Sequence, residues 1–322
     1  MRAVIRDTYG SPDVLRVADV PVPVPSEGHL LVRVHASSIN DYDYHLLTGQ
    51  PFVNRMVAPV RPKHRILGCD ISGVVESVGA GVAAFRRGDE VYGDLSASGL
   101  GAFAEYVSAP ARAVAHKPRS LTFEEAAAVP QAGGLAAMGL LSHRPPRSGD
   151  DVLVNGGGGG VGTFAIQAAK SLGAHVTGVD ANWKLGAMRA AGADRVVDYQ
   201  VEDAMSGRDR YDLIVDIAAY RAISTYRRCL TPGGYAGLLG GSVPRVLLTM
   251  VGGPLTSVLS SRKVGVPFWR PNHPSDVEFL SGLLASGDMI PVIDSVVPLE
   301  GVADAFRRFG AQQHSGKIVI TV

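Results

Sequence analysis

Hydrophobic and polar positions change their period twice along the chain. Up to about residue 121 the pattern is short, alternating and punctuated. "HLLVRVHASSI" (29–39) alternates apolar and polar positions, which predicts a half-buried strand. "ISGVVESVGAGV" (71–82) predicts a strand closed by a glycine turn, and "GDEVYGDL" (88–95) and "GAFAEYVSAP" (101–110) two more, after a proline-rich connection at 20–28. Together they read as a β-rich, partly open barrel. At "SLTFEEAAAVP" (120–130) the texture becomes helical, with Ser120 or Thr122 as cap and Glu124 and Glu125 in the first turn.

From there strands and helices alternate. Strands are expected at 150–155, 175–180, 194–199, 211–218 and 233–241, and helices over 161–174, 182–193, 221–230 and near 275–286. Short loops between such units predict an α/β fold with a doubly wound parallel sheet. The last stretch, "PVIDSVVPLEGVADAFRRFGAQQHSGKIVITV", returns to β texture with one helix at 300–309 and completes the first domain. The expected division is therefore 1–121 with 287–322 for the β-rich domain and 122–286 for the inserted parallel-sheet domain.

Composition narrows the function. A 322-residue chain with 46% hydrophobic residues builds a core or two, and a net charge of +1 without any Lys/Arg run argues against nucleic acid as a partner. Two cysteines far apart, Cys69 and Cys229, exclude a disulfide scaffold and fit a reducing compartment. "MRAVIRDTYG" lacks the apolar core of a secretory signal, so a cytoplasmic location is expected. The most apolar region, 235–261, is interrupted by Pro244, Arg245 and Pro254 and is too broken for stable membrane insertion; it is expected to form core plus a pocket or interface loop.

"NGGGGGVG" (155–162) raises the central question, because five glycines make either a linker or a phosphate cradle. A predicted strand enters the run and a predicted helix leaves it from Val161. Gly157, Gly159 and Gly162 satisfy G-x-G-x-x-G, which allows a tight turn, close approach of backbone to a pyrophosphate and close helix–strand packing. The helix N-terminus at Gly160 and Val161 adds free N–H groups and partial positive charge. Asp180 ends the next strand 18 residues after Gly162, where a carboxylate binds a ribose 2′-hydroxyl. Strand, glycines, helix and acid together indicate a dinucleotide site.

These pieces, with "LGCDISGVVESVGAGVAAFRRGDEVYG" (67–93), "GAFAEYV" (101–107), "LTFEEAAAVPQAG" (121–133), "LTPGGYAGLLGG" (230–241) and "SGKIVITV" (315–322), resemble the medium-chain dehydrogenase/reductase superfamily, specifically its zinc-independent quinone oxidoreductase branch. The resemblance spans essentially the whole chain. It implies a GroES-like barrel domain, a Rossmann domain, an active site in the cleft between them, and a homodimer. The zinc-ligand positions of zinc-dependent relatives fall on Asn40, Cys69 and Gln131, a set that lacks the thiolates, imidazoles or carboxylates zinc requires, so no metal is expected.

The resemblance also assigns candidate roles. Asn40 matches a cleft asparagine able to bond a nicotinamide ribose or a substrate oxygen, or it simply stabilises a turn. Tyr42, Tyr44 and His45 are candidate proton donors or stacking groups, with packing as the plain alternative. Leu47 and Leu135 stand where relatives carry an arginine and a threonine, and Gly157–Gly158 where many carry Ala-Ser. Lys184 and Tyr199 match positions at the adenosine end in NADPH-using relatives, although Lys184 can equally face solvent, and Gly240 and Gly241 complete the cofactor set. Asp180 favours NADH and the branch favours NADPH, so the cofactor is NADH or NADPH. The expected reaction is hydride transfer to a quinone or other α,β-unsaturated carbonyl. An enone reductase of secondary metabolism and a cofactor-binding scaffold without turnover are the alternatives.

Overall fold

The structure is a computed structural model that describes residues 1–56, 58–258 and 260–322. The chain forms two units, Met1–Gln131 with Pro271–Pro274 and Ile293–Val322, and Ala132–Arg270 with Ser275–Val292.

In the first unit the strand His29–Ser38 is the organising element. It pairs antiparallel with Tyr106–Pro110 along its first half, with Asp70–Val78 along its length, and with Lys317–Thr321 at its far end. The sheet continues through Glu90–Asp94 to Val114–His116 on one side and Ile293–Pro298 on the other. Ladder shifts between Leu31 and Val32 and between Val34 and Ala36 bend the central strand, as bulges do, and curl the sheet. Leu30, Val32, Val34, Ile71, Val75 and Val91 fill one core. Ile39, Leu47, Phe103, Phe306, Ile318 and Ile320 fill a second.

The helix Phe123–Ala128 starts as the sequence predicts: Thr122 Oγ1 accepts from Glu125 N–H (3.1 Å) and Glu125 accepts from Thr122 N–H (2.8 Å). It corrects the expected boundary, however. Ala127 and Ala128 pack on Ala36 and Val319, so the helix belongs to the first unit and the division falls after Gln131 rather than at residue 121. The return crossing falls at Ile293 rather than 287, and Pro271–Pro274 also joins the first unit, where Asn272 Nδ2 donates to the Asp94 carbonyl (2.8 Å).

The second unit is a six-stranded parallel sheet in the order Arg195–Asp198, His175–Asp180, Asp151–Asn155, Tyr211–Asp216, Leu230–Leu238, Lys263–Gly265. Strand succession reverses direction between Asp151–Asn155 and Tyr211–Asp216, and the carboxyl ends at such a switch point form the ligand crevice of doubly wound sheets. The expected helix over 182–193 is a 3₁₀ turn, Asn182–Lys184, followed by the shorter helix Leu185–Ala190.

The expected pocket or interface loop within 235–261 is instead a strand end and the helix Val243–Val258; Leu259 lies outside the described residues. This helix is inside out. Thr249 and Gly253 are buried, whereas Val243, Leu247, Leu248, Val251 and Leu255 are exposed. The small buried face has a steric cause, since a Cβ on Gly253 would stand 2.3 Å from the Val264 carbonyl oxygen. No helix among the described residues is long and apolar enough to cross a membrane.

Candidate cofactor turn and buried polar network

The glycine run forms a strand-to-helix turn between Asp151–Asn155 and the helix Gly160–Ser171. Gly156 and Gly157 N–H groups both donate to the Val179 carbonyl (2.9 and 3.0 Å), which locks the turn to the second strand. A Cβ on Gly162 would lie 2.2 Å from Gly156 O and 2.5 Å from Gly157 Cα, so the helix rests directly on the turn. Gly159 is different: the nearest atom to a Cβ there is 3.6 Å away, which leaves open space beside the helix start. The first-turn N–H groups of Gly160, Val161 and Gly162 have no intrahelical acceptor, which leaves partial positive charge at this helix end.

Asp180 is tied into this turn. Its Oδ2 accepts from Gly158 N–H (2.9 Å) and its Oδ1 from Ala181 N–H (2.8 Å). Lys184 is buried rather than solvent-facing, with Nζ 3.9 Å from Asp180 Oδ1 and 5.0 Å from the centre of the Trp183 ring. Its stem lies against the turn, and a Cβ on Gly158 would stand 2.5 Å from Lys184 Cβ. Glycine at 158, where relatives place a hydroxyl residue, is thus matched to the position of Lys184.

Tyr199 is half exposed and lines a small pocket with Asn155, Val179, Tyr220 and Arg221. Tyr220 and Arg221 were not expected there. Arg221 makes two bonds to Asp203 (2.8 and 3.0 Å) and lies 5.2 Å from the Tyr220 ring centre. An aromatic–arginine pair just past a strand end at the switch point is the signal that marks them. Asp216 was also missed. It is fully buried and accepts from Asn155 Nδ2 (2.7 Å), Tyr226 hydroxyl (2.8 Å) and Ala218 N–H (3.0 Å), pinning the two central strands together where they end. Burial raises its pKa against those three donors. Gly240 and Gly241 cross the segment 217–219 closely: Gly241 has φ +108° and a Cβ there would lie 2.2 Å from Ala219 N.

The first unit holds a buried polar network around Asp70. This carboxylate accepts from Ser38 hydroxyl (2.7 Å), Asn40 Nδ2 (2.9 Å) and Gln131 N–H (2.9 Å), and Lys317 Nζ stands 3.5 Å away. The Lys317 ammonium, 3% exposed, also donates to Asn40 Oδ1 and to the Ile39 carbonyl (3.1 Å). Beside it Asp43 accepts from Gly68 N–H (3.0 Å), Asn40 N–H (3.2 Å) and the Cys69 thiol (3.2 Å). Complete burial pushes Asp43 up to about 6, and burial with Asp70 nearby pushes Asp94 up to about 7. The Cys69 thiol is raised well above its usual range by burial and by the neighbouring carboxylates, so it stays protonated.

This geometry separates the candidates on the helix Asp41–Thr48. The amide oxygen of Asn40 is taken by Lys317 and one amide hydrogen by Asp70, so its first role is to hold the network. Tyr44 packs against Phe309 (centroids 6.0 Å apart) and beside Gly310, on the core that holds Leu47 and Phe306. Tyr42 keeps an exposed edge. His45 Nε2 sits 3.0 Å from Asp41 Oδ2, and that hydrogen bond raises the imidazole pKa.

The zinc-ligand positions of zinc-dependent relatives fit no zinc here. Asn40 is bonded at both ends of its amide, Cys69 is a protonated thiol donating to Asp43, and Gln131 offers a third neutral group. Among the described residues no group of three His, Cys, Asp or Glu side chains is arranged to hold a metal.

A curled β unit of GroES-like form and a parallel sheet of Rossmann type with a glycine turn at its switch point define a nicotinamide-dependent oxidoreductase. Residues 26–119 match the family model for the alcohol dehydrogenase GroES-like domain, and residues 191–320 that for zinc-binding dehydrogenase. The chain is 33% identical to 2-methylene-furan-3-one reductase of Solanum lycopersicum, over 99% of this chain and 79% of that protein. It is 30% identical to the quinone oxidoreductase QR1 of Triphysaria versicolor, a chloroplastic protein, over 99% and 98%. The solved structure of a mycobacterial protein complexed with NADPH superposes with a TM-score of 0.84 at 29% identity, over 100% of both chains. The chain belongs to the medium-chain dehydrogenase/reductase superfamily, in its quinone oxidoreductase-like branch.

Proposed function

We propose that this protein reduces quinones and other conjugated carbonyls with a reduced nicotinamide and without zinc. The observation that carries the reading is the occupancy of Asn40, Cys69 and Gln131 by a closed hydrogen-bond network in place of metal ligands. Without a Lewis acid, the favoured substrates are those that accept hydride unaided. The cofactor supplies that hydride when bound. Gly159, Gly160, Val161 and Gly162 present the helix end to its pyrophosphate, and Asp180 stands for the adenosine ribose. Tyr42 and His45 are the proposed proton sources. Asp41 favours the imidazolium of His45, which suits delivery of a proton as the substrate becomes an anion.

Enone reduction draws on the same groups, and the name of the tomato relative favours it as the second reading. The scaffold alternative is not retained for a member of this enzyme family. For the cofactor, the fixed carboxylate of Asp180 supports NADH, with Lys184 near enough to temper its repulsion of a 2′-phosphate. A homodimer in the cytoplasm remains our reading. The strand Lys263–Gly265 ends its sheet, and the outward apolar positions of Val243–Val258 lie on the helix packed against it.

The test is oxidation of NADH and NADPH with 9,10-phenanthrenequinone and with an unhindered enone, before and after exhaustive chelation. Turnover should survive chelation with no bound zinc by elemental analysis. Loss on chelation with recovery on added zinc overturns the reading.

A further inference from the structure

The amino ends of the strands in the parallel-sheet unit carry a feature the cofactor does not use. An open cavity of about 370 Å³ is lined by Arg208, Asp209, Ser224, Arg227, Arg228 and Arg262. Three elements build it: the turn before Tyr211–Asp216, the helix Ile223–Cys229, and the residue preceding Lys263–Gly265. Ser224, Arg227 and Arg228 share one helix face through i, i+3 and i+4 spacing. In a parallel sheet this is the end opposite the glycine turn, so the two sites are separate.

Four guanidiniums face one carboxylate, and that carboxylate is already taken, because Arg262 pairs with Asp209 while donating to the Leu230 carbonyl (2.8 Å). Arg228 donates weakly to the Met205 carbonyl (3.3 Å). Arg208 and Arg227 make no hydrogen bond or ion pair with any described residue, and Arg227 Nε is buried with no partner. Cations at a helix C-terminus complement its partial charge, which accounts for one arginine in the last turn but not for two uncommitted guanidiniums beside a cavity. A buried N–H without an acceptor is costly unless a ligand supplies one. Guanidinium forks match phosphate oxygens two at a time, and the volume lies in the range of about 300–1,000 Å³ usual for small-molecule sites.

We propose that this cavity binds a compact phosphate-bearing anion, a diphosphate group, with Arg208 and Arg227 as its principal ligands and Ser224 as a hydroxyl donor. Inorganic diphosphate and the diphosphate end of a nucleotide share that chemistry.

The test is calorimetric titration of the full chain with inorganic pyrophosphate and with ADP, at constant ionic strength and with sulfate as control. The variant is Arg208→Gln/Arg227→Gln, which breaks no side-chain hydrogen bond or ion pair among the described residues. Saturable pyrophosphate binding with Kd of about 1 mM or tighter, weakened about tenfold or more in the double variant and unchanged by saturating NADPH, supports the proposal. ADP binding more tightly than pyrophosphate, with the same loss in the variant, supports it with a nucleotide as the source; equal affinity supports it with the free anion. Equal binding by wild type and variant places the anion at the glycine turn and overturns the proposal, as does sulfate matching pyrophosphate, or the absence of saturable binding.

Discussion

Replacing Lys317 by Met keeps an unbranched side chain, one heavy atom shorter, and removes its charge. The ammonium is buried, and its loss strands three groups that it now satisfies: Asp70, the Asn40 amide oxygen and the Ile39 carbonyl. Removing one partner of a buried ion pair typically costs about 3–5 kcal/mol, because the other charge stays desolvated and unpaired. The unit concerned has roughly 165 residues. At about 2–4 °C per kcal/mol for a domain of that size, its thermal midpoint should fall by about 6–20 °C. Scanning calorimetry measures this, and the transition of the parallel-sheet unit serves as an internal reference. If the charge on Asp70 is what makes the loss costly, the pair Lys317→Met/Asp70→Asn must lose less than the sum of the single variants. Additivity within about 0.5 kcal/mol, or a single-variant cost below about 1 kcal/mol, refutes the assignment of Lys317 as the network's cation.

Four further outcomes are expected. Asp180→Ser should shift the NADH/NADPH ratio of kcat/KM toward NADPH by about tenfold or more, as removal of a fixed negative charge near a 2′-phosphate requires; an unchanged ratio removes Asp180 from cofactor choice. Gly159→Ala should fold normally yet weaken cofactor binding, measured by NADPH fluorescence, whereas Gly162→Ala should lower the thermal midpoint as well, because its Cβ meets backbone. Asp41→Asn should move the alkaline limb of the kcat–pH profile to lower pH, since Asp41 raises the His45 pKa; a stationary limb excludes His45 as the proton source. Asp94 has a folded pKa pushed up to about 7, so the folded chain holds a proton that the unfolded chain releases near pH 4. Stability is lost as pH rises through about 7, and Asp94→Asn should flatten the fall in urea midpoint between about pH 5 and about pH 8.

What the sequence made legible was local. The glycine turn, the order of strands and helices around it and the carboxylate closing the second strand all depend on residues within about thirty positions of each other, and periodicity reads that range well. The capping box at Thr122 was visible for the same reason, but its helix was assigned to the wrong domain, because only tertiary packing on Ala36 and Val319 places it. The network around Asp70 was not legible. Asp70 and Lys317 are separated by 247 positions, and neither carries a local signal of its partner. The apolar run 235–261 misled in another way: within it Val243, Leu247, Leu248, Val251 and Leu255 are exposed while Thr249 and Gly253 are buried, the reverse of the pattern from which burial is inferred. The sequence left Lys184 open between an adenosine contact and a solvent-facing charge, and its burial rests on packing beside Gly158 that no local pattern carries.

The pairing of Lys317 with Asp70 also dictates an order of assembly. On the ribosome Asp70, Asn40 and Ser38 emerge first, and the parallel-sheet unit, whose strands all lie between Asp151 and Gly265, is complete before the strand Lys317–Thr321 exists. Until then the β-rich unit lacks both the strand that pairs with Ala36–Ser38 and the cation for its central carboxylate. The nascent chain therefore carries a finished nucleotide-type fold attached to a half-built barrel with an open sheet edge and an unpaired acid. The last strand of the barrel and the ammonium that meets its central carboxylate thus enter the fold together, after every strand of the parallel sheet.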